Sequence, residues 1–201
     1  HTTYRSAELN FVATNGETLA TFSAEQDASY KLFYTTTDGN PVDVYKTDGF
    51  GADYVSNIYY VKENIGILRF ASPITTIPDQ AFAICDNLAT IDIPEGVTSI
   101  GERAFTGCTA MQQVTIPSTV TAVGAEAFVN CRGRAIINCN IDTDWATYEK
   151  FSFQKAGFTE VVIGDKVETI GNHAFAHCYD LSQLTLGKRV KLINEDAFLH
   201  N

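Results

Sequence analysis

LATIDIPEGVTSIGERAFTGC, residues 88–108, is the stretch that decides the fold, because its pattern recurs along most of the chain. Its Ala-Phe pair returns every 23 residues, at Ala81-Phe82, Ala104-Phe105 and Ala127-Phe128. A further 23 residues reach Phe151, and after one extra residue the series resumes at Ala174-Phe175 and Ala197-Phe198. A fixed period of this length is typical of a solenoid, in which each repeat forms one coil and contacts only its neighbours. The sequence therefore predicts six coils over residues 66–201.

Each coil carries apolar residues at matching positions, which indicates a shared interior. The first pairs are Leu68/Phe70, Ile91/Ile93, Val114/Ile116, Ile137/Cys139, Val161/Ile163 and Leu184/Leu186. The second pairs are Ile74/Ile77, Val97/Ile100, Val120/Val123, Thr143/Ala146, Val167/Ile170 and Val190/Ile193. Alternation in the first set predicts a short strand with one buried face, and stacked coils would pair these strands in a parallel sheet. We expect one short helical or 3₁₀ turn at the Ala-Phe segment.

The first 65 residues lack the repeat and predict a β-hairpin-rich cap over the first coil, since an open solenoid end exposes core. Residues 9–14 and 17–22 flank Asn15-Gly16, a type I′ turn signal, and predict a hairpin. Residues 31–36 and 42–45 predict a second hairpin, and residues 54–61 a strand that turns back into residues 66–70. Residues 1–29 belong to the cap or to the end of a preceding domain.

Four of the five cysteines stand three residues after a repeat phenylalanine, at Cys85, Cys108, Cys131 and Cys178. We expect them to form an inward column of small apolar groups. Neighbouring side chains in such a column point the same way, which disfavours disulfide geometry. The sequence therefore predicts that these four thiols and Cys139 are free.

Composition excludes several classes of protein. The formal net charge is −10, and a negative surface repels the phosphates of nucleic acids and anionic membranes. No run approaches the roughly 18 apolar residues of a membrane-spanning helix. The first residues lack the apolar core of a signal peptide, so we expect either a cytosolic protein or an exported one already trimmed.

The repeat L-x-x-I-x-I-P-x-x-V-T-x-I-G-x-x-A-F-x-x-C resembles the BspA-like (TpLRR-type) leucine-rich repeat over residues 66–201. Residues 33–40 and 45–57 resemble the region that precedes such repeats in surface proteins of anaerobic gut bacteria. The resemblance implies an α/β-type, β-dominated right-handed solenoid with a parallel sheet, short turns and a β-rich N-terminal cap. It further implies an exported, surface-attached protein that binds host proteins or other cells. The fourth coil departs from the pattern at residues 139–146 and carries one inserted residue.

Groups that could carry chemistry are sparse. His173 and His177 are four residues apart with Cys178 next, a spacing that could hold a metal, but both histidines occupy slots that are polar in other coils. Asp142 and Asp144 lack the third ligand and glycine of a calcium loop. The remaining candidate, Asp38-Asn40-Asp43, is better explained as turn residues. We therefore predict no catalytic residue, metal or cofactor.

Outward positions of the strands form two rows that are free to vary without harming the fold, and they are our candidate partner-binding residues. The first row is Arg69, Asp92, Thr115, Asn138, Val162 and Thr185, and the second is Thr90, Gln113, Ile136, Glu160 and Gln183. Trp145 and Tyr148 form a further candidate, since exposed aromatic residues are common hot spots, although the local insertion could equally bury Trp145 as packing.

The sequence thus predicts a non-enzymatic adhesion module at a bacterial surface, binding a host or cell-surface protein or a glycan. The alternative hypothesis is a structural spacer within a larger surface protein. No polar cap follows the last coil, so we expect Ile193, Phe198 and Leu199 to be covered by a neighbouring molecule or frayed. This allows end-to-end self-association through the uncapped C-terminal coil.

Overall fold

The computed structural model describes residues 30–141 and 153–201 in full, and the backbone of residues 8–12 and 18–23. These residues form strands and turns, with no α-helix among them. The strands are β1 (Glu8–Val12), β2 (Thr18–Ser23), β3 (Lys31–Thr36), β4 (Tyr54–Tyr60), β5 (Ile65–Phe70), β6 (Thr76–Ile77), β7 (Leu88–Asp92), β8 (Ser99–Ile100), β9 (Gln113–Ile116), β10 (Ala122–Val123), β11 (Arg134–Ile137), β12 (Glu160–Ile163), β13 (Thr169–Ile170), β14 (Gln183–Thr185) and β15 (Leu192–Ile193).

The repeats form a β-solenoid whose main sheet has the order β14-β12-β11-β9-β7-β3-β5-β4. Strands β7, β9, β11, β12 and β14 are parallel, one from each of five successive coils. The short strands β6, β8 and β10 form a second parallel sheet, and β13 pairs with β15 in the same way. The predicted parallel stack is therefore confirmed for these coils.

The prediction that the strand of the first coil pairs with that of the second is wrong, because strand β3 lies between them. β5 does not lie beside β7; β3 separates them and is antiparallel to both. The predicted pairing of residues 31–36 with 42–45 is wrong for the same reason, because both edges of β3 are taken by β5 and β7. The ring of Tyr34 lies over Gly66, where an added Cβ would fall 1.9 Å from Tyr34 Cζ. A glycine at that position makes room for the inserted strand.

The other N-terminal predictions fare better. β1 and β2 pair as the antiparallel hairpin expected around residues 15–16. β4 turns back into β5 as expected, with antiparallel pairing from Tyr60↔Ile65 to Tyr54↔Phe70. The division of the chain at residue 65 stays a prediction.

A stacked column of phenylalanine rings runs through the core, as the period predicts. Neighbouring ring centroids lie 5.2 Å apart from Phe82 to Phe105 and 5.3 Å apart from Phe175 to Phe198. In the fourth coil the ring between Phe128 and Phe175 belongs to Phe153, at 5.5 Å and 5.3 Å, so the expectation of Phe151 is wrong. The five rings from Phe82 to Phe175 are no more than 1% exposed.

The segment carrying each Ala-Phe pair is a chain of β-turns and not the predicted helical or 3₁₀ turn. Residues with positive φ recur in two columns: Gln80, Arg103, Glu126, His173 and Asp196 in one, and Ile84, Gly107, Asn130, Lys155, His177 and His200 in the other. The left-handed residues interrupt any helix, and alternate amides donate across to the next coil. For example, Phe82 N donates to Ala104 O at 2.8 Å, whereas Ala83 N donates back to Gln80 O at 3.1 Å. We call this side of the solenoid the turn face.

The five cysteines are buried and unbridged, as predicted. Three of the thiols are hydrogen-bonded to the preceding coil: Cys108 Sγ donates to Phe82 O at 3.1 Å, and Cys131 Sγ to Phe105 O at 3.0 Å. Cys178 Sγ does the same with Phe153 O at 3.0 Å. The thiol column therefore contributes hydrogen bonds between coils as well as packing.

Candidate binding face

The outward face of the parallel sheet presents two rows of side chains, which we call the outer rows. The pairing of β7, β9, β11, β12 and β14 sets their members. One row is Thr90, Gln113, Arg134, Glu160 and Gln183, and the other is Asp92, Thr115, Ile136, Val162 and Thr185. Because neighbouring strands lie about 4.8 Å apart, each row spans about 19 Å over its four steps.

Two predicted members do not belong to these rows. Asn138 lies beyond β11, and an added Cβ on Gly164 would fall 2.2 Å from Asn138 Oδ1. Arg69 on β5 faces Lys31 of β3 and is separated from Asp92 by that strand. The remaining predicted row members are adjacent across the sheet, with Ile136 moved into the row of Asp92.

The fourth coil is shifted by two residues from its predicted register. Ala135 and Ile137 occupy the inward positions beside Val114 and Ile116, where the prediction had Ile137 and Cys139. Strand β11 begins two residues earlier than the predicted register requires, because the chain turns sharply at Gly133, whose φ is +81°. An added Cβ at this position would fall 2.3 Å from Gln112 O, so only glycine fits this turn.

Arg134 is the functional candidate that the sequence analysis missed. Its Nε lies 3.1 Å from Glu160 Oε1, an ion pair across β11 and β12. The pair lacks hydrogen-bond alignment, since the buried Nε has no hydrogen-bond acceptor in the described structure. An alternating pattern looks the same after a shift of two residues, so Gly133 was the one signal that could have indicated the true register.

The centre of the outer rows combines an apolar patch with this ion pair. Ile136 and Val162 are half-buried neighbours, and Arg134 and Glu160 lie beside them. Asp92 is exposed at one end, and its side chain has no hydrogen-bond or ion-pair partner among the described residues. Such a mixture of aliphatic and charged groups suits recognition of another molecule at a polar surface.

The Trp145-Tyr148 candidate lies outside the described residues, as do Asp142, Asp144, Thr143 and Ala146. Ile141 takes the place beside β13 that the prediction assigned to the Thr143/Ala146 pair, since it bridges to Ile170 in parallel. From Ile141 to Phe153 the chain advances 12 residues, against 5 from Val123 to Phe128, so the extra residues of this coil fall at 142–152.

The histidine candidates do not converge on a metal site. His173 Nε2 lies 3.6 Å from Asp196 Oδ2, and His177 Nδ1 lies 2.8 Å from Tyr179 Oη while its ring stacks on His200 at 5.0 Å. Cys178 points inward. No group of three potential metal-ligating side chains occurs in the part of the chain that the structure describes.

The Asp38 turn is held by hydrogen bonds between its own residues and by one from Asn87. Asp38 Oδ1 accepts from Asn40 N and from Asn87 Nδ2, both at 3.0 Å, and Asp38 Oδ2 accepts from Asn40 Nδ2 at 3.0 Å. Donors from Asn40, and then Asn87, hold the pKa of Asp38 below its ordinary value. The interpretation as turn residues agrees with these bonds.

The last described coil is open on its outer side. Leu184, Leu186, Leu192 and Ile193 are each 40–52% exposed, and Phe198 and Leu199 are half-buried. Of the described residues, none forms a helix long and apolar enough to cross a bilayer.

This stacked architecture defines a leucine-rich-repeat solenoid. The chain belongs to the BspA type leucine-rich repeat family, whose family model matches six copies over residues 59–201. No curated protein matches the chain.

Two solved structures are similar to the chain. A leucine-rich repeat protein from Bacteroides ovatus is 25% identical, with a TM-score of 0.46 over 77% of this chain and 42% of that protein. A leucine rich cell surface protein from Faecalibacterium prausnitzii is 26% identical, with a TM-score of 0.40 over 73% of this chain and 37% of that protein. The chain thus spans less than half the length of either.

Proposed function

We propose that this chain is a non-enzymatic binding module of an extracellular, bacterial cell-surface protein, and that it recognises a protein or glycan through the outer rows. Family membership makes it a binding or structural repeat module. The assignment of a binding role to the outer rows depends on one observation. The rows align side chains from five coils, and these side chains point away from the core.

The arrangement of the charges supports this proposal. Some charged side chains in the turns are paired from coil to coil, as in Arg103–Glu126 at 2.7 Å and Lys191–Glu168 at 3.2 Å. Asp92 is free of such a pairing among the described residues and stays available to a partner. End-to-end self-association through the last coil stays a second prediction.

The proposal is tested by probing arrays of glycans and of host proteins with the intact chain and with two variants. In the double variant Asp92→Lys and Val162→Lys, both changes are on the outer rows, so binding should fall at least about tenfold. The control Ala122→Lys changes an exposed position of the second sheet and should bind like the parent chain.

Loss of binding in the control as well, or in neither variant, would contradict the assignment to this face. Absence of binding to every probe would instead support the spacer hypothesis.

A further inference from the structure

A cavity of about 390 Å³ lies where the N-terminal segment meets the turn face; we call it the junction pocket. Asp43 and Tyr45 line it from one side, and Ile84, Cys85 and Asp86 from the other. The two sides are tied together, because Cys85 Sγ donates to Asp43 O at 3.0 Å and Tyr45 N donates to Ala81 O at 3.0 Å. None of its lining residues belongs to the outer rows.

Ile84 has an unfavourable backbone conformation for an isoleucine. Its φ is +61°, a left-handed conformation that a β-branched residue rarely adopts, and its side chain is 76% exposed. Other coils use Gly107, Asn130 or His177 in this slot. Since the left-handed conformation is unfavourable for a residue with a Cβ and the exposed side chain buries little, the fold of the coil gains nothing evident from isoleucine.

The pocket also has unpaired negative charge beside apolar walls. Asp43 and Asp86 line it and are exposed, and neither side chain has an ion-pair partner among the described residues. Tyr45, on the same rim, is 72% exposed. Burial raises the pKa of Cys85 to about 12, so this thiol is a neutral part of the wall and not a nucleophile.

We propose that the junction pocket binds the side chain of a lysine or arginine from a polypeptide partner. Ile84 and the ring of Tyr45 cover the aliphatic stem, as apolar surfaces do for long cationic side chains. Asp43 and Asp86 pair with the charged group at its end. An uncharged sugar would leave both carboxylates without a partner, which favours a polypeptide here.

The test is an NMR titration of the whole chain with three blocked tripeptides, Ac-Gly-Arg-Gly-NH₂, Ac-Gly-Lys-Gly-NH₂ and the uncharged Ac-Gly-norleucine-Gly-NH₂. The cationic peptides should shift backbone amides of residues 43–45 and 84–86, and the norleucine peptide should not. Asp86→Asn should weaken binding about two- to fivefold, the range of an exposed ion pair. Equal shifts with norleucine, or shifts confined to other residues, would overturn the proposal.

Ile84→Gly separates a binding role from a structural one. Glycine relieves the left-handed strain, so the urea midpoint of unfolding should rise while affinity for the arginine peptide falls at least twofold. The matched control Asn130→Gly changes the same slot in another coil and should leave affinity unchanged. A more stable Ile84→Gly chain with undiminished affinity would show that the isoleucine has no part in binding.

Discussion

Phe153 stacks on Phe128 with ring centroids 5.5 Å apart and planes 18° apart, although 25 residues separate them where the repeat has 23. The ring column therefore continues through the one irregular coil. Continuity matters because each coil of a solenoid contacts only its neighbours, and the stacked rings join one coil to the next. The irregular coil keeps the ring stacking because its extra residues fall between Ile141 and Phe153 in the sequence.

Phe153→Ala should be as destabilising as the same change at a regular coil, because the ring is 1% exposed between two others. We expect it to lower the free energy of unfolding by about 3–5 kcal/mol. Urea denaturation measures this, with Phe105→Ala as the reference. A cost below about 1 kcal/mol would mean that another side chain fills the column.

Gly133→Ala tests the shortened entry to β11. The new Cβ would be 2.3 Å from Gln112 O at a φ of +81°, so strain and overlap together should cost on the order of 2–5 kcal/mol. Gly96→Ala is the control, since its φ is +107° but no atom lies within 4 Å of the added Cβ. Its cost should be limited to the backbone strain. Equal costs, measured by thermal or urea unfolding, would argue against the observed register.

The insertion of β3 is tested by a double-mutant cycle between Tyr34 and Gly66. Tyr34 is 1% exposed and its hydroxyl donates to Asn57 Oδ1 at 2.6 Å, so Tyr34→Ala should cost about 3–5 kcal/mol. Gly66→Ala would overlap the ring and should cost about 1–3 kcal/mol.

Once the ring is removed, the added methyl group has space, so the double variant should be clearly less destabilised than the sum of the single variants. Additive costs would mean that the two residues are not in contact.

Stability should fall in alkaline solution because of the buried thiols. Burial raises the pKa of Cys139 to about 11 and that of Cys178 to about 12, from an ordinary value of 9.0. The unfolded chain therefore releases these protons at lower pH than the folded one. The contribution of these two thiols to the free energy of unfolding is fully present below pH 9 and is lost as the pH rises toward 11–12.

Urea midpoints at pH 8 and pH 11 measure this loss, and Cys139→Ala should show a smaller decrease than the parent chain. A thiol reagent should leave all five cysteines unmodified in the native chain at pH 8 and modify them in denaturant. Rapid modification of the native chain would contradict their burial.

Several features were predictable because they depend on local pattern. The 23-residue period placed the phenylalanine and thiol columns, and alternation identified most inward strand positions. The slots of His173 and His177 on the turn face also followed from alignment, and the structure places both among left-handed residues. The helical turn was predicted wrongly because an Ala-Phe segment carries no local sign that alternate amides bond to the next coil.

The outer rows were predicted only where coils are regular. Asp92 and Thr115 followed from the period, whereas Arg134 was missed because a shift of two residues leaves an alternating pattern unchanged. Arg69 was misplaced because nothing near it in sequence indicates that β3 lies between β5 and β7.

The sequence by itself determined that this chain is a stack of coils, since a repeated hydrophobic period can be satisfied only by repeated burial against identical neighbours. Only the tertiary structure decided which side chains meet across the sheet, at Asp92, Arg134 and Glu160. The reason is that a strand pairs with whichever neighbouring strand edge is free to form hydrogen bonds. β3 occupies the edge of β7, and Gly133 sets the register of β11, both through contacts between residues distant in sequence.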